Sequence, residues 1–242
     1  MARMRAAMGL VAAAVVVSAT IVVLDAPGGI AGLFGEVSSE ERADQVLAGL
    51  TAEAPYLALL RERRPEVYER VRTTLVTAHA NGHTVLQMAD QGRRVLTEWL
   101  ADAIAHAPDP VALEMLAVTR GQLGELQQTN PALCAAMIRG GHGDDLAPYL
   151  SVELLAREQA AMEMLLTVPP DGAVVSLPPV EIEAAYNQVR PELQARFGAA
   201  LDGDGTADPA TVCAIQTATL DAFARLEPAR AAAIARAVLG GS

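Results

Sequence analysis

Apolar side chains recur three and four positions apart along most of this chain, and that spacing predicts helices. Val67, Val71 and Leu75 fall on one face after Pro65, and Val85, Met88, Val95, Leu96, Trp99, Leu100, Ala103 and Ile104 line a longer run from about Thr84 to His106. Val111–Gln127, Leu146–Leu166, Val180–Leu201, Ala210–Leu226 and Ala229–Leu239 repeat the pattern. Strand signals are nearly absent; only Ala173–Leu177, a short stretch between Pro169-Pro170 and Pro178-Pro179, has an extended look, and it reads as linker.

Proline marks the boundaries between these runs. Arg64-Pro65, Asp109-Pro110, Asn130-Pro131, Arg190-Pro191, Asp208-Pro209 and Glu227-Pro228 each precede an amphipathic stretch. Proline at the first helical position loses nothing, because its missing N–H has no helical partner there. Asp109, Asn130 and Asp208 are placed to act as N-caps, and Ser38 with Glu41 has the spacing of a capping box. The expected fold class is therefore all-α, a multi-helix domain of short to moderate helices.

One segment departs from the amphipathic pattern. Ala6–Leu24 contains no charged residue, and at about 1.5 Å per helical residue it nearly matches the roughly 30 Å hydrocarbon core of a bilayer. Arg3 and Arg5 precede it and no arginine follows until Arg42, whereas Asp25 and Glu36 lie in between. The positive-inside rule then places residues 27–242 outside the cytoplasm. The segment reads as an uncleaved anchor or as a cleaved signal. A small-residue site exists at Val17-Ser18-Ala19, but a cut there strands apolar Thr20–Leu24 on the mature end, and a cut after Ala26 puts Pro27 first. The anchor is the favoured version. A buried core helix is the third reading, and it needs apolar surroundings on every side. Gly9, Ala13 and Ser18 are small enough for close packing with another membrane helix, although an alanine-rich chain supplies small residues in any case.

The organisation that follows is a hydrophobic helix over residues 1–26, a spacer over 27–37, a larger helical block over 38–167, a Pro-rich linker over 168–179 and a smaller helical block over 180–242. Four glycines between Asp25 and Val37 suit a flexible spacer. Arg64-Pro65-Glu66-Val67 and Arg190-Pro191-Glu192-Leu193 match across the linker, a short similarity that chance explains as well as duplication does.

Composition narrows the partners. The formal net charge is −11, with few aromatic residues, so nucleic acid is a poor partner: phosphate contacts need a basic surface and single strands need stacking platforms. Every one of the 18 basic residues is arginine, which fits the codon bias of a GC-rich bacterial genome and carries no message about a site. An outward location is oxidising, and Cys134 and Cys213 are the only cysteines. A disulfide between them would close a loop of about 79 residues and contribute on the order of 3 to 4 kcal/mol. Two small buried hydrophobes are the plainer alternative.

Metal chemistry has weak footholds. His79 and His83 stand four apart, yet Asn81-Gly82 between them favours a turn. His142, Asp144 and Asp145 lie in a Gly-rich stretch more typical of a solvated loop. Asp202, Asp204 and Asp208 occupy positions 1, 3 and 7 of a calcium-loop-like run, but the glycine falls at position 4 and Cys213 stands where a bidentate glutamate belongs. An acidic interhelical loop whose Asp208 caps the next helix accounts for the same residues, so calcium is the one candidate cofactor and a weak one. There is no Gly-x-Ser-x-Gly elbow and no phosphate-cradling glycine loop. Glu153, Glu158 and Glu163 read as a solvated acidic helix face.

These features describe a helical binding or scaffold protein of the bacterial cell envelope, joined to the inner membrane through residues 6–24, or periplasmic or secreted if that segment is removed, with a protein partner. The alternative is an extracytoplasmic hydrolase acting on the envelope through two carboxylates, which requires a cleft holding them roughly 5 to 10 Å apart.

Overall fold

Proline sets where many of the helices begin. A computed structural model describes residues 37–53, 55–139, 146–167, 169, 177–202 and 207–240. Those residues hold ten α-helices and two short 3-10 turns, with no strand among them. The hydrophobic segment at residues 6–24 and the Gly-rich acidic stretch around His142 lie outside the described residues, as does the core of the Pro-rich linker. None of the described helices is long and apolar enough to cross a membrane.

The described chain divides into two compact units, one ending at Trp99 and the other starting at Leu100. The Pro-rich stretch at 168–179 falls within the second of them. In the first unit, α1 (Ser39–Glu53) packs on α3 (Pro65–Ala80), and α2 (Tyr56–Arg63) packs on both. Ser38 and Glu41 form the reciprocal capping box: Ser38 N–H donates to the Glu41 carboxylate at 3.1 Å and Glu41 N–H donates to Ser38 Oγ at 3.2 Å. Ala43, Val46, Leu47 and Leu50 of α1 bury one stripe, and Val67, Val71, Leu75 and Ala78 of α3 bury another. Arg72 clasps Asp44 with Nε at 2.7 Å and Nη2 at 3.2 Å, joining α3 to α1. That hydrogen-bonded guanidinium holds the Asp44 carboxyl below its ordinary range. The turn Asn81-Gly82 ends α3, and Gly82 takes a φ of 78°, a conformation that disfavours any side chain. The next helix, α4 (Val85–Ala105), lays Gly92 beside Val71 and Leu75.

The second unit is arranged around α5 (Asp109–Thr129). Four helices pack on it: α6 (Pro131–Ile138), α7 (Val152–Thr167), α9 (Pro209–Ala224) and α10 (Pro228–Leu239). α8 (Pro179–Phe197) packs on α9. α5 buries Val111, Ala112, Met115, Leu116, Val118, Leu123 and Leu126 on one broad face, and no residue from Val111 to Gln127 is fully exposed, as a helix with neighbours on several sides requires. α10 buries a run of alanines with Ile234 and Leu239, and its small side chains suit a close approach. Its buried Arg236 is held across the unit through Nη1, which donates to the Ala107 carbonyl at 3.1 Å and to Asp109 Oδ1 at 2.7 Å, while Nε is buried without a partner among the described residues.

Three sequence expectations are corrected here. Asp109 does not cap: α5 starts on it, after Pro108, and its carboxylate serves Arg236 instead. Asn130 and Asp208 do cap, accepting from Leu133 N–H and Thr211 N–H at 3.1 Å each. Pro191 opens no helix; it lies inside α8, where both it and Asn187 are exposed, so water can meet the carbonyl that loses its helical partner. The two Arg-Pro-Glu segments therefore occupy different structural positions, Pro65 at a helix start and Pro191 in a helix interior. Leu146–Leu166 is not one helix either. Ala147–Tyr149 forms a 3-10 turn, and Ser151 caps α7 by accepting from Leu154 N–H at 3.2 Å. α8 stops at Gly198, whose φ is 54°.

Glycine positions in this packing give opposite expectations. A Cβ on Gly240 would overlap the Arg236 carbonyl oxygen and stand 2.8 Å from Ala105 Cα, so Gly240→Ala should destabilise by about 1–3 kcal/mol. Gly124 lies within α5 with nothing near its Cβ position, so Gly124→Ala should stabilise by about 0.5–1 kcal/mol. Urea unfolding of the two variants beside the parent checks both signs.

Candidate functional site

Besides Arg236 of α10, the buried polar residues of the second unit lie on α5 and on two of the helices that pack on it. α5 contributes Thr119 and Gln122, one turn apart; α7 contributes Glu158; α9 contributes Gln216 and Thr219. The hydroxyls are satisfied within their own helices, Thr119 Oγ1 donating to the Met115 carbonyl at 2.9 Å and Thr219 Oγ1 to that of Ile215 at 2.8 Å. The amides are not: Gln122 Nε2 and Oε1 and Gln216 Nε2 are buried without a hydrogen bond of good geometry.

Glu158 is the chemically distinctive member. It is only 5 % exposed, and burial pushes its carboxyl up to about 7, with the facing Gln122 amide pulling weakly the other way. The sequence places Glu158 on a solvated face with Glu153 and Glu163; those two are exposed and Glu158 is not. A signal for this existed in the apolar spacing. Leu154, Glu158, Ala161 and Leu165 follow one another by four, three and four positions, which puts Glu158 on the buried stripe of α7.

Two polar ties stand before this point along α7 in its contact with α5. Ser151 Oγ donates to Glu125 Oε1 at 2.6 Å where α7 starts, and Arg157 Nη2, from the residue before Glu158, donates to Glu114 Oε2 at 3.0 Å. Between them Gly121 makes room for Leu154, whose Cδ1 would lie 2.6 Å from a Cβ at that position. On the α9 side, Arg120 donates through Nε at 2.9 Å and Nη2 at 2.6 Å to Asp221 Oδ1. The carboxylates nearest in register to Glu158 thus have partners of their own. What the arrangement provides chemically is a single proton site that titrates near neutrality inside a helix contact.

The structure brings Cys134 of α6 and Cys213 of α9 together as a disulfide, with Cα atoms 5.8 Å apart. Both sulfurs lie beside the Leu123 carbonyl oxygen of α5, at 3.9 and 3.7 Å. Of the calcium candidates, Asp208 uses both carboxylate oxygens on Thr211, from N–H at 3.1 Å and Oγ1 at 2.6 Å, and these bonds hold its carboxyl below the usual range. Asp202 ends a 3-10 turn, and Asp204 lies outside the described residues. No group of three or more His, Cys, Asp or Glu that could hold a metal gathers among the described residues. The two histidines take separate partners: His79 Nδ1 lies 2.9 Å from Ser39 Oγ, and His83 Nδ1 lies 3.0 Å from Gln91 Nε2. The Ser39–His79 contact links the start of α1 to the last turn of α3, a pairing across 40 positions that no local spacing signals.

Compared with protein-family models, curated proteins and solved structures, the chain matches none.

The raised Glu158 value fixes the sign of a pH effect. Its folded-state proton affinity exceeds that of an ordinary carboxyl at 4.5, so its contribution to stability is fully present below about pH 4.5. That contribution declines as pH rises to about 7, by about 3 kcal/mol in all, and stays flat above. Glu158→Gln should therefore match the parent near pH 4.5 and exceed it in stability by about 1–3 kcal/mol near pH 8, read from paired urea melts. Replacing both Cys134 and Cys213 by alanine should lower stability by about 4 kcal/mol, checked by the same melts with and without reductant on the parent.

Proposed function

We propose that this chain is a helical binding protein of the bacterial cell envelope, tethered through Ala6–Leu24 and displaying residues 38–240 outside the cytoplasm to a protein partner. The observation that carries the reading is the uncharged run behind Arg3 and Arg5, whose length and charge asymmetry suit a single outward-facing anchor. The Cys134–Cys213 pair supports it from a different direction, since disulfides persist in oxidising compartments. A partner role is supported by apolar side chains left in solvent at the start of α7, where Val152 is 77 % exposed and Tyr149 is also exposed.

The test joins topology to partnership. In a bacterial host, the full-length chain should stay with membranes through alkaline carbonate washing. A C-terminal alkaline phosphatase fusion should be active where the matching fluorescent-protein fusion is dark. Both cysteines should resist alkylation until reductant is added. Affinity isolation from solubilised membranes should recover a stoichiometric protein partner. An active cytoplasmic reporter, or isolation of the chain alone, would sink the reading.

A further inference from the structure

The Glu158 carboxyl has no part in tethering or in the exposed surface, yet it is buried in the contact that holds α7 to α5, against Gln122. We propose that Glu158 is a proton-operated latch: α7 is held closed on α5 while the carboxyl is neutral and loosens from Glu158 onward when the carboxyl ionises.

The geometry supplies both halves of the device. The charged groups that α5 and α7 bring to this contact are already engaged. Glu114 is held by Arg157, Glu125 by Ser151, and Arg120 by Asp221 of α9. Along α7 itself, Glu153 is exposed and Glu163 accepts from Gln159 Nε2 at 2.7 Å. Neither arginine on these faces is left over to pair with an ionised Glu158, so ionisation places an uncompensated charge in a site of very little exposure. The partner facing Glu158 is Gln122, whose amide has both atoms buried and unbonded. A neutral carboxyl can donate to Gln122 Oε1 and an ionised one can accept from Gln122 Nε2. Hydrogen bonding to Gln122 is thus open to either form, and desolvation makes the choice in favour of the neutral one. The ties at Ser151–Glu125 and Arg157–Glu114, both before Glu158 on α7, do not depend on that proton, so the first part of the contact holds while α7 from Glu158 onward responds. The titration lies near neutrality, where a modest change in surroundings shifts the populations.

The inference stands whether or not Ala6–Leu24 tethers the chain, and its test is separate. Hydrogen–deuterium exchange of the full chain, corrected for the intrinsic pH dependence of exchange, reads opening within residues 154–166 against α10 as an internal reference. Opening of α7 should rise by up to about tenfold per pH unit between about pH 5 and pH 7 and level off above, while α10 stays flat. In Glu158→Gln, α7 should remain protected at every pH. Equal pH slopes in parent and variant, or a rise shared equally by α10, would overturn the proposal. Carbon-detected NMR titration of the Glu158 carboxyl in the unmutated chain guards against a variant that fails to fold. A midpoint near 7 supports the latch, and one at the ordinary carboxylate value overturns it.

Discussion

The burial of α5 is the constraint on which the second unit depends. A helix with no fully exposed residue from Val111 to Gln127 cannot rest on one neighbour, and α6, α7, α9 and α10 are the surfaces that take it out of water. Its charged side chains show how tightly this is arranged. Arg120 reaches Asp221, Glu114 reaches Arg157, and Glu125 reaches Ser151, so each points along a boundary between α5 and a partner helix. Arg236 closes the same arrangement from the C-terminal side, a buried guanidinium set between the Ala107 carbonyl and the first residue of α5. The ion pair and the apolar faces act together, because a buried charge is tolerable only where its partner is held in place.

Much of the local structure was legible from residue types. Pro65, Pro131, Pro209 and Pro228 each begin a helix, and Ser38 with Glu41 forms the reciprocal cap that their spacing implies. The errors arise where a local signal had a distant competitor. Asp109 has the chemistry of a cap, but Arg236, far along the chain, takes its carboxylate. Pro191 has the look of a helix start, but it falls on an exposed face where an interrupted backbone bond is tolerable. Ser151 was hidden inside an unbroken apolar periodicity that ran from Leu146, although Pro148 and a serine three residues before Leu154 mark a boundary there.

The candidate site was less legible for a related reason. A carboxylate on a helix is ordinarily solvated, and only its register with Leu154, Ala161 and Leu165 distinguishes Glu158 from Glu153 and Glu163. Neither the facing Gln122 nor the neighbouring ties can be read from α7 alone, since they come from a helix some thirty to forty positions earlier. Cysteine was the opposite case: two residues and an expected oxidising compartment left a single possible pairing, and the structure brings the two sulfurs together.

The cross-link between Cys134 and Cys213 encloses, in sequence, every bond of the Pro-rich stretch from Val168 to Pro179. A protease cutting anywhere in that stretch yields two polypeptides that remain one covalent molecule. The portion bearing α8, α9 and α10 then stays attached to the portion bearing the N-terminus, and nicking is converted from a release event into a silent one until a reductant arrives.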